Sequence, residues 1–215
     1  MPAGRTAIPF VAAPRKVDVF ARHRDEYSAT RTPQIVNTGP GRYLSVRGSG
    51  EPGGPLFLKH VGALHGMAWT LKMAMKARGK DFKVPPLEGL WWHTGGGGPR
   101  DGSEGEWSWK LLMRVPNFVK KRDLDPAVQA LEARGRAGGA REVRLEELRE
   151  GRCVQALHVG PYATVPETID RMRRVAADLG LAFHGRHHEI YLSDPRRVAP
   201  DRLRTILRMP VRAAR

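Results

Sequence analysis

The 215-residue chain has a single cysteine, Cys153, which excludes an intramolecular disulfide. It sits in an apolar-alternating stretch with no Cys or His at zinc-site or thiol-protease spacing, so it reads as a buried structural thiol. Long apolar runs are also missing. Nothing approaches the roughly 20 apolar residues a membrane span needs, and Pro9, Arg15, Lys16 and Asp18 interrupt the start of the chain. Neither a membrane helix nor a secretion signal is expected, which points to the cytoplasm. Acidic residues are few, 22 against 37 Lys and Arg, giving a formal charge of +15. A basic surface attracts phosphate backbones whatever else the protein does. Yet the basic residues are 28 arginines and 9 lysines scattered along the chain, with no helix-turn-helix, zinc finger or aromatic RNA-binding signature. Compositional bias accounts for the charge, and no specific nucleic-acid partner is expected.

What is present is ordinary globular content, 40% hydrophobic, arranged in a pattern that occurs twice. Residues 1 to about 30 form a partly ordered lead-in with a short helix around Asp18 to Tyr27. Gln34 to Gly48 reads as strand, turn and strand. His60 to Arg78 reads as a helix with Val61, Leu64, Trp69 and Met73 in its core stripe, stopped by Gly79. Leu87 to Trp92 and Trp107 to Val115 read as a hairpin whose long connection holds Gly95 to Gly98. No Gly-Lys-Ser/Thr follows those glycines, so they mark a loop or lid and not a phosphate cradle. Asp125 to Arg134 reads as a short helix before a glycine-marked linker. Then the pattern recurs: strand Arg152 to Val159, helix Glu167 to Leu179, strands His187 to Ser193 and Leu203 to Val211. The expected fold is α+β, with duplicated strand-helix-strand-strand halves at about 31–135 and 140–215. Both helices lie on one side of antiparallel sheets, and a concave ligand groove lies on the other.

The stretch His158-Val-Gly-Pro-Tyr162, the helix after it, His188-Glu-Ile-Tyr-Leu-Ser-Asp-Pro195 and Thr205-Ile-Leu-Arg-Met-Pro-Val211 together resemble the signature of GyrI-like small-molecule-binding proteins. Leu87-Glu-Gly-Leu-Trp-Trp92 and Trp109-Lys-Leu-Leu-Met-Arg-Val-Pro116 resemble first-half motifs of one subfamily. The resemblance covers most of residues 34–212. It implies a groove between two similar halves for flat, hydrophobic or cationic molecules. In the subfamily most like this chain, it implies hydrolysis of cyclopropane-containing DNA-alkylating natural products held in an aromatic cage. Sequestration of a drug without chemistry, or modulation of gyrase, are the alternatives the family allows. Gly50-Glu-Pro-Gly-Gly54 departs from the family's Gly-Asp-Pro-Asn pattern, at the mouth of the groove.

Strand alternation decides which side chains reach a ligand. Glu189 and Tyr191 share one face of their strand, and Glu88 shares a face with Leu90 and Trp92. Placing Glu88 and Trp92 on the groove face brings together two carboxylates, a phenol and an indole. The resemblance also places Glu189 against the ligand. The candidate catalytic residues are Glu189, to position or deprotonate a water, Tyr191, to hydrogen-bond the ligand carbonyl, and Glu88 as alternate base. Candidate ligand contacts are Trp91 or Trp92, which as neighbours must face opposite ways, with Trp109, Tyr43 and His158. Tyr162, after Gly-Pro, reads as structural. His184, His187 and His188 lack metal-site spacing, with 187 and 188 on opposite faces, so no metal or other cofactor is expected. The expected partner is a planar hydrophobic small molecule.

Overall fold

The computed structural model describes residues 16–93 and 106–214; the lead-in's first residues and the Gly95 to Gly98 loop lie outside them. Nine strands run β1 (Gln34–Thr38), β2 (Gly41–Ser49), β3 (Glu88–His93), β4 (Trp107–Arg114), β5 (Arg144–Leu148), β6 (Gly151–Val159), β7 (Leu181–Phe183), β8 (His187–Tyr191) and β9 (Arg204–Ala213). The helices are α1 (Val19–Arg22), α2 (Arg24–Tyr27), α3 (Pro55–Ala77), α4 (Leu124–Glu132) and α5 (Val165–Asp178). The expected helix at 18–27 is thus two short ones, broken at His23.

All strand pairs are antiparallel, in the order β1-β6-β9-β8-β3-β4-β2-β5, with β7 added on β9. The order is a mirror about the β8–β3 contact, so two four-stranded units join edge to edge. The duplicated α+β architecture follows the sequence pattern, but the outer strands are exchanged. The expected β1–β2 hairpin does not form: β1 pairs with β6 of the second half, and β5 pairs with β2 of the first. Pro40 fixes its own φ and biases Gly39 towards extended backbone, which opposes a tight two-residue turn. The chain therefore runs on from one unit into the other.

Both long helices cover the same face. Leu64, Met67, Ala68, Leu71 and Met75 of α3 pack with Leu44, Val46, Trp109, Leu111 and Met113. Val165, Ile169, Met172 and Ala176 of α5 pack with Val154, Ala156, Leu207 and Met209. Trp69 and Met73, read as core from the sequence, are 53% and 58% exposed. At about 100° per residue they lie about 140° and 180° round the helix from Leu64, away from the buried stripe. Trp109 is fully buried above Gly48, where an added Cβ would come within 2.3 Å of the indole.

Candidate active site

Between α3 and α5 the helix-bearing face is open, and the gap is a cavity of about 820 Å³. That volume suits a drug-sized ligand. Its floor is the seam of the two halves, with Trp91 of β3 beside Glu189 and Tyr191 of β8; Phe57, Val61 and His65 of α3 form one wall and Tyr162, just before α5, the other. Trp107, Leu87 and Phe20 add apolar surface. The sequence reading put the groove on the face away from the helices; it lies on the helix-bearing face, because the short strands β3 and β8 at the centre are left uncovered between the two helices.

Register explains which residues meet there. Gly89 lies opposite Glu189, and Trp91 opposite His187. Residues directly opposite share a face, so Glu189, Tyr191, Gly89 and Trp91 all point into the cavity. Gly89 carries no side chain, and a Cβ there would sit 2.8 Å from Trp91 Nε1 and 3.2 Å from the Tyr191 oxygen. That space lets the Trp91 N–H donate to the Tyr191 hydroxyl at 2.9 Å. With its oxygen occupied, Tyr191 directs its own proton to Glu189, the other side-chain hydrogen bond of that hydroxyl. Burial, reinforced by the Glu189 charge, holds the Tyr191 phenol well above the usual tyrosine range. The same causes raise Tyr162. Glu189 Oε1 also lies 3.1 Å from His187 Nε2. Phe57 stacks on Trp91 at 5.6 Å and Trp107 meets it edge-on at 5.8 Å, so the indole is fixed on both sides. Burial, with the nearby Arg196 charge, holds the His65 imidazole below the usual histidine range.

The structure brings together Glu189, Tyr191 and Trp91 of the expected set, and takes the others elsewhere. Glu88 is 0% exposed on the opposite face. An even-numbered residue of β3 faces His188 and Ile190, not Glu189, in this register. There Glu88 accepts from the Tyr27 hydroxyl at 3.0 Å and lies 3.0 Å from His188 Nε2. His188 is bound on its other side to Glu150 at 2.9 Å, which also takes Arg208 at 3.1 Å. Arg114, the Glu26 carboxylate and the Tyr43 hydroxyl continue this buried network, so Tyr43 is part of it and not of the cavity. Glu26 and Tyr27, from the end of the lead-in, are thus built into this buried network. Trp92 shares the Glu88 face and is flanked by Arg186 at 3.9 Å and Arg47 at 5.6 Å. Trp109, opposite Trp91 on the same face, is fully buried under α3 and does not line the cavity, in edge contact with Phe57 at 5.4 Å. His158 bonds Thr168 at 3.0 Å and lines a separate recess of about 440 Å³.

Sequence reasoning missed Phe57, His187 and the cavity-facing place of Tyr162. For His187 the signal was available: it stands two residues before Glu189 and so shares its face. Tyr162 had none, because a turn carries no periodicity.

A family described as the GyrI-like small molecule binding domain matches residues 31–212. A crystal structure of an uncharacterized conserved protein from Listeria innocua is 33% identical, spanning 92% of this chain and all of that one, with a TM-score of 0.85. A hydrolase from Listeria innocua is 34% identical over the same shares, with a TM-score of 0.81. The EcmrR C-terminal domain shares the fold at 12% identity, covering 85% of this chain and 98% of its own, with a TM-score of 0.53. No protein of curated function matches. Among the described residues no helix is long and apolar enough to cross a membrane.

Proposed function

Because this chain belongs to the GyrI-like small-molecule-binding family, we propose that its cavity takes up a planar, largely apolar molecule and hydrolyses cyclopropane-containing DNA alkylators. The observation that carries the reading is a carboxylate, Glu189, on the floor of an aromatic cavity of about 820 Å³. That a similar protein is a hydrolase supports chemistry over storage.

In a spirocyclopropyl cyclohexadienone the ring is strained and its opening creates an aromatic phenol. The catalyst needs a flat slot, a base for water and charge to meet the developing oxyanion. Trp91, Phe57 and Trp107 form the slot. Water attacks a cyclopropane carbon while Glu189 takes its proton. The carbon–carbon bond breaks, its electron pair passes into the ring, and the carbonyl oxygen becomes a phenolate, which takes up the proton held by Glu189, directly or through solvent, to give the phenol and free the base. Lys83 and Arg196, on the cavity wall and paired there with Asp18 and Asp194, would have to turn from those partners to meet that oxygen with positive charge. Tyr191 orients Glu189; its O–H is already directed at the carboxylate, so this role replaces direct polarisation of the carbonyl. General base catalysis of this kind contributes about 10²- to 10⁴-fold.

The test is incubation with excess cyclopropanoid alkylator, following the ring-opened phenol by chromatography, for the wild type and Glu189→Gln. Multiple turnovers, lost in the variant, are expected. Tight tryptophan quenching with no more than one equivalent of product would reduce the protein to a drug-sequestering one.

A further inference from the structure

We infer that His187 is a positioning residue of the site: its Nε2–H holds one oxygen of Glu189 and keeps the carboxylate ionised and aimed into the cavity. The inference rests on Glu189 as the base and deepens that reading. His187 is 1% exposed and lies on the Glu189 face of β8, opposite Trp91. Its Nε2 is 3.1 Å from Glu189 Oε1. A carboxylate oxygen only accepts, so the contact requires the proton on Nε2. His187 Nδ1 is buried and has no hydrogen-bond partner among the described residues. A buried N–H there would be orphaned and lose its hydration without recompense, whereas a bare ring nitrogen is the cheaper orphan. The unpartnered atom therefore places the ring proton on Nε2, facing Glu189. The ring is locked in the orientation in which a donor serves a base.

The pair is the innermost part of a relay. Trp91 donates to Tyr191, Tyr191 to Glu189, and His187 closes on the same carboxylate from the side away from Tyr191's strand end. Two donors favour the anion over the acid. Other titratable groups face Glu189 across the cavity: Tyr162 before α5 and His65 of α3, with Lys83, Asp194 and Arg196 also on the walls. The strands on either side, β3 and β9, present only Gly89 and Leu207 opposite it. His187 is thus an imidazole in direct contact with the base.

Two polar substitutions separate positioning from packing. In His187→Gln the amide reaches the place of Nε2 and retains the N–H; in His187→Asn it stops one bond short. Product formation from excess cyclopropanoid alkylator is measured with pH, beside the protonation of Glu189 in the free protein by infrared difference spectroscopy against Glu189→Gln. His187→Asn is expected to lower kcat roughly 10- to 100-fold with KM changed less than about 3-fold. It is also expected to move the acid limb of the rate profile and the carboxyl titration to higher pH, while His187→Gln stays near wild type in both. If His187→Asn matches wild type in the carboxyl titration, the inference is overturned. If wild type and Glu189→Gln make equal product, the hydrolase reading falls instead, and the infrared titration still decides the His187–Glu189 pair.

Discussion

Trp91 of the first half donates its indole N–H to the hydroxyl of Tyr191 in the second, at 2.9 Å across the seam of the sheet. One cross-seam hydrogen bond thereby ties the aromatic wall of the cavity to the orientation of Glu189. Trp91→Phe keeps most of the stacking surface and removes the donor. A neutral hydrogen bond contributes about 0.5–1.5 kcal/mol net, so kcat should fall roughly 3- to 10-fold, with ligand affinity nearly unchanged. Steady-state kinetics with a binding isotherm read by quenching of the remaining tryptophans would check this, and a loss confined to affinity would contradict it.

Gly89→Ala tests the same geometry from the backbone. Its φ is not in the left-handed region, so no backbone strain arises; the new methyl collides with Trp91 Nε1, at 2.8 Å, and with the Tyr191 oxygen, at 3.2 Å. The expected outcome is a folded protein, destabilised by about 1–3 kcal/mol in urea unfolding, whose turnover falls at least as far as that of Trp91→Phe. Unaltered turnover would mean the Trp91–Tyr191 bond has no part in catalysis.

Glu88 should behave as a structural residue. It is buried on the far face with Tyr27 and His188, and removing one member of a buried ionic group costs about 3–5 kcal/mol. Glu88→Ala is therefore expected to lose a few kcal/mol in chemical denaturation while the surviving folded fraction keeps its rate per site. Loss of turnover without loss of stability would return Glu88 to the list of bases.

How far the site was legible turns on this pair of glutamates. The alternation within each strand was readable: Glu189 with Tyr191, Glu88 with Trp92, and His187 opposed to His188 all fall where period two puts them. What strand periodicity cannot supply is the register between strands 100 residues apart in sequence, as Trp91 and Tyr191 are. A one-residue slip exchanges the faces, and the sequence reading matched the wrong face of β3 to β8. The helices were similarly half legible. The spacing of α3 was plain, but two apolar stripes coexist on it, and only the sheet beneath decides that Leu64 is buried and Trp69 is not. Strands β5 and β7 escaped notice because one is rich in charge and the other is three residues long.

The buried network sets a pH dependence of stability. Burial alone would raise Glu150, but His188 and Arg208 beside it outweigh that and lower its carboxyl from the usual 4.5 to about 2. Burial would likewise lower His188, but Glu150 and Glu88 outweigh that and raise it from 6.5 to about 9. A lowered acid contributes stability above its unfolded value, lost as pH falls towards about 2. A raised base contributes fully below its unfolded value, lost as pH rises towards about 9. Stability should therefore be greatest near pH 4.5 to 6.5, with urea unfolding at pH 9.5 showing about 1–3 kcal/mol less than at pH 5.5. His188→Gln should flatten the alkaline decline; an equally steep decline in that variant would place its origin elsewhere.

The exchange of outer strands has a kinetic consequence. With Gln34 seated opposite Gln155 and Gly41 opposite Leu148, the unit of β2 to β5 can close as residues 41–148 emerge, whereas the second unit has to hold β1 in waiting until β6 has been made. Loops of that length are closed before their contacts give any return, which places the protein among slow folders of high contact order. Cutting the chain at the glycine-rich linker would leave two fragments that each expose an open sheet edge, able to associate with one another or with further copies.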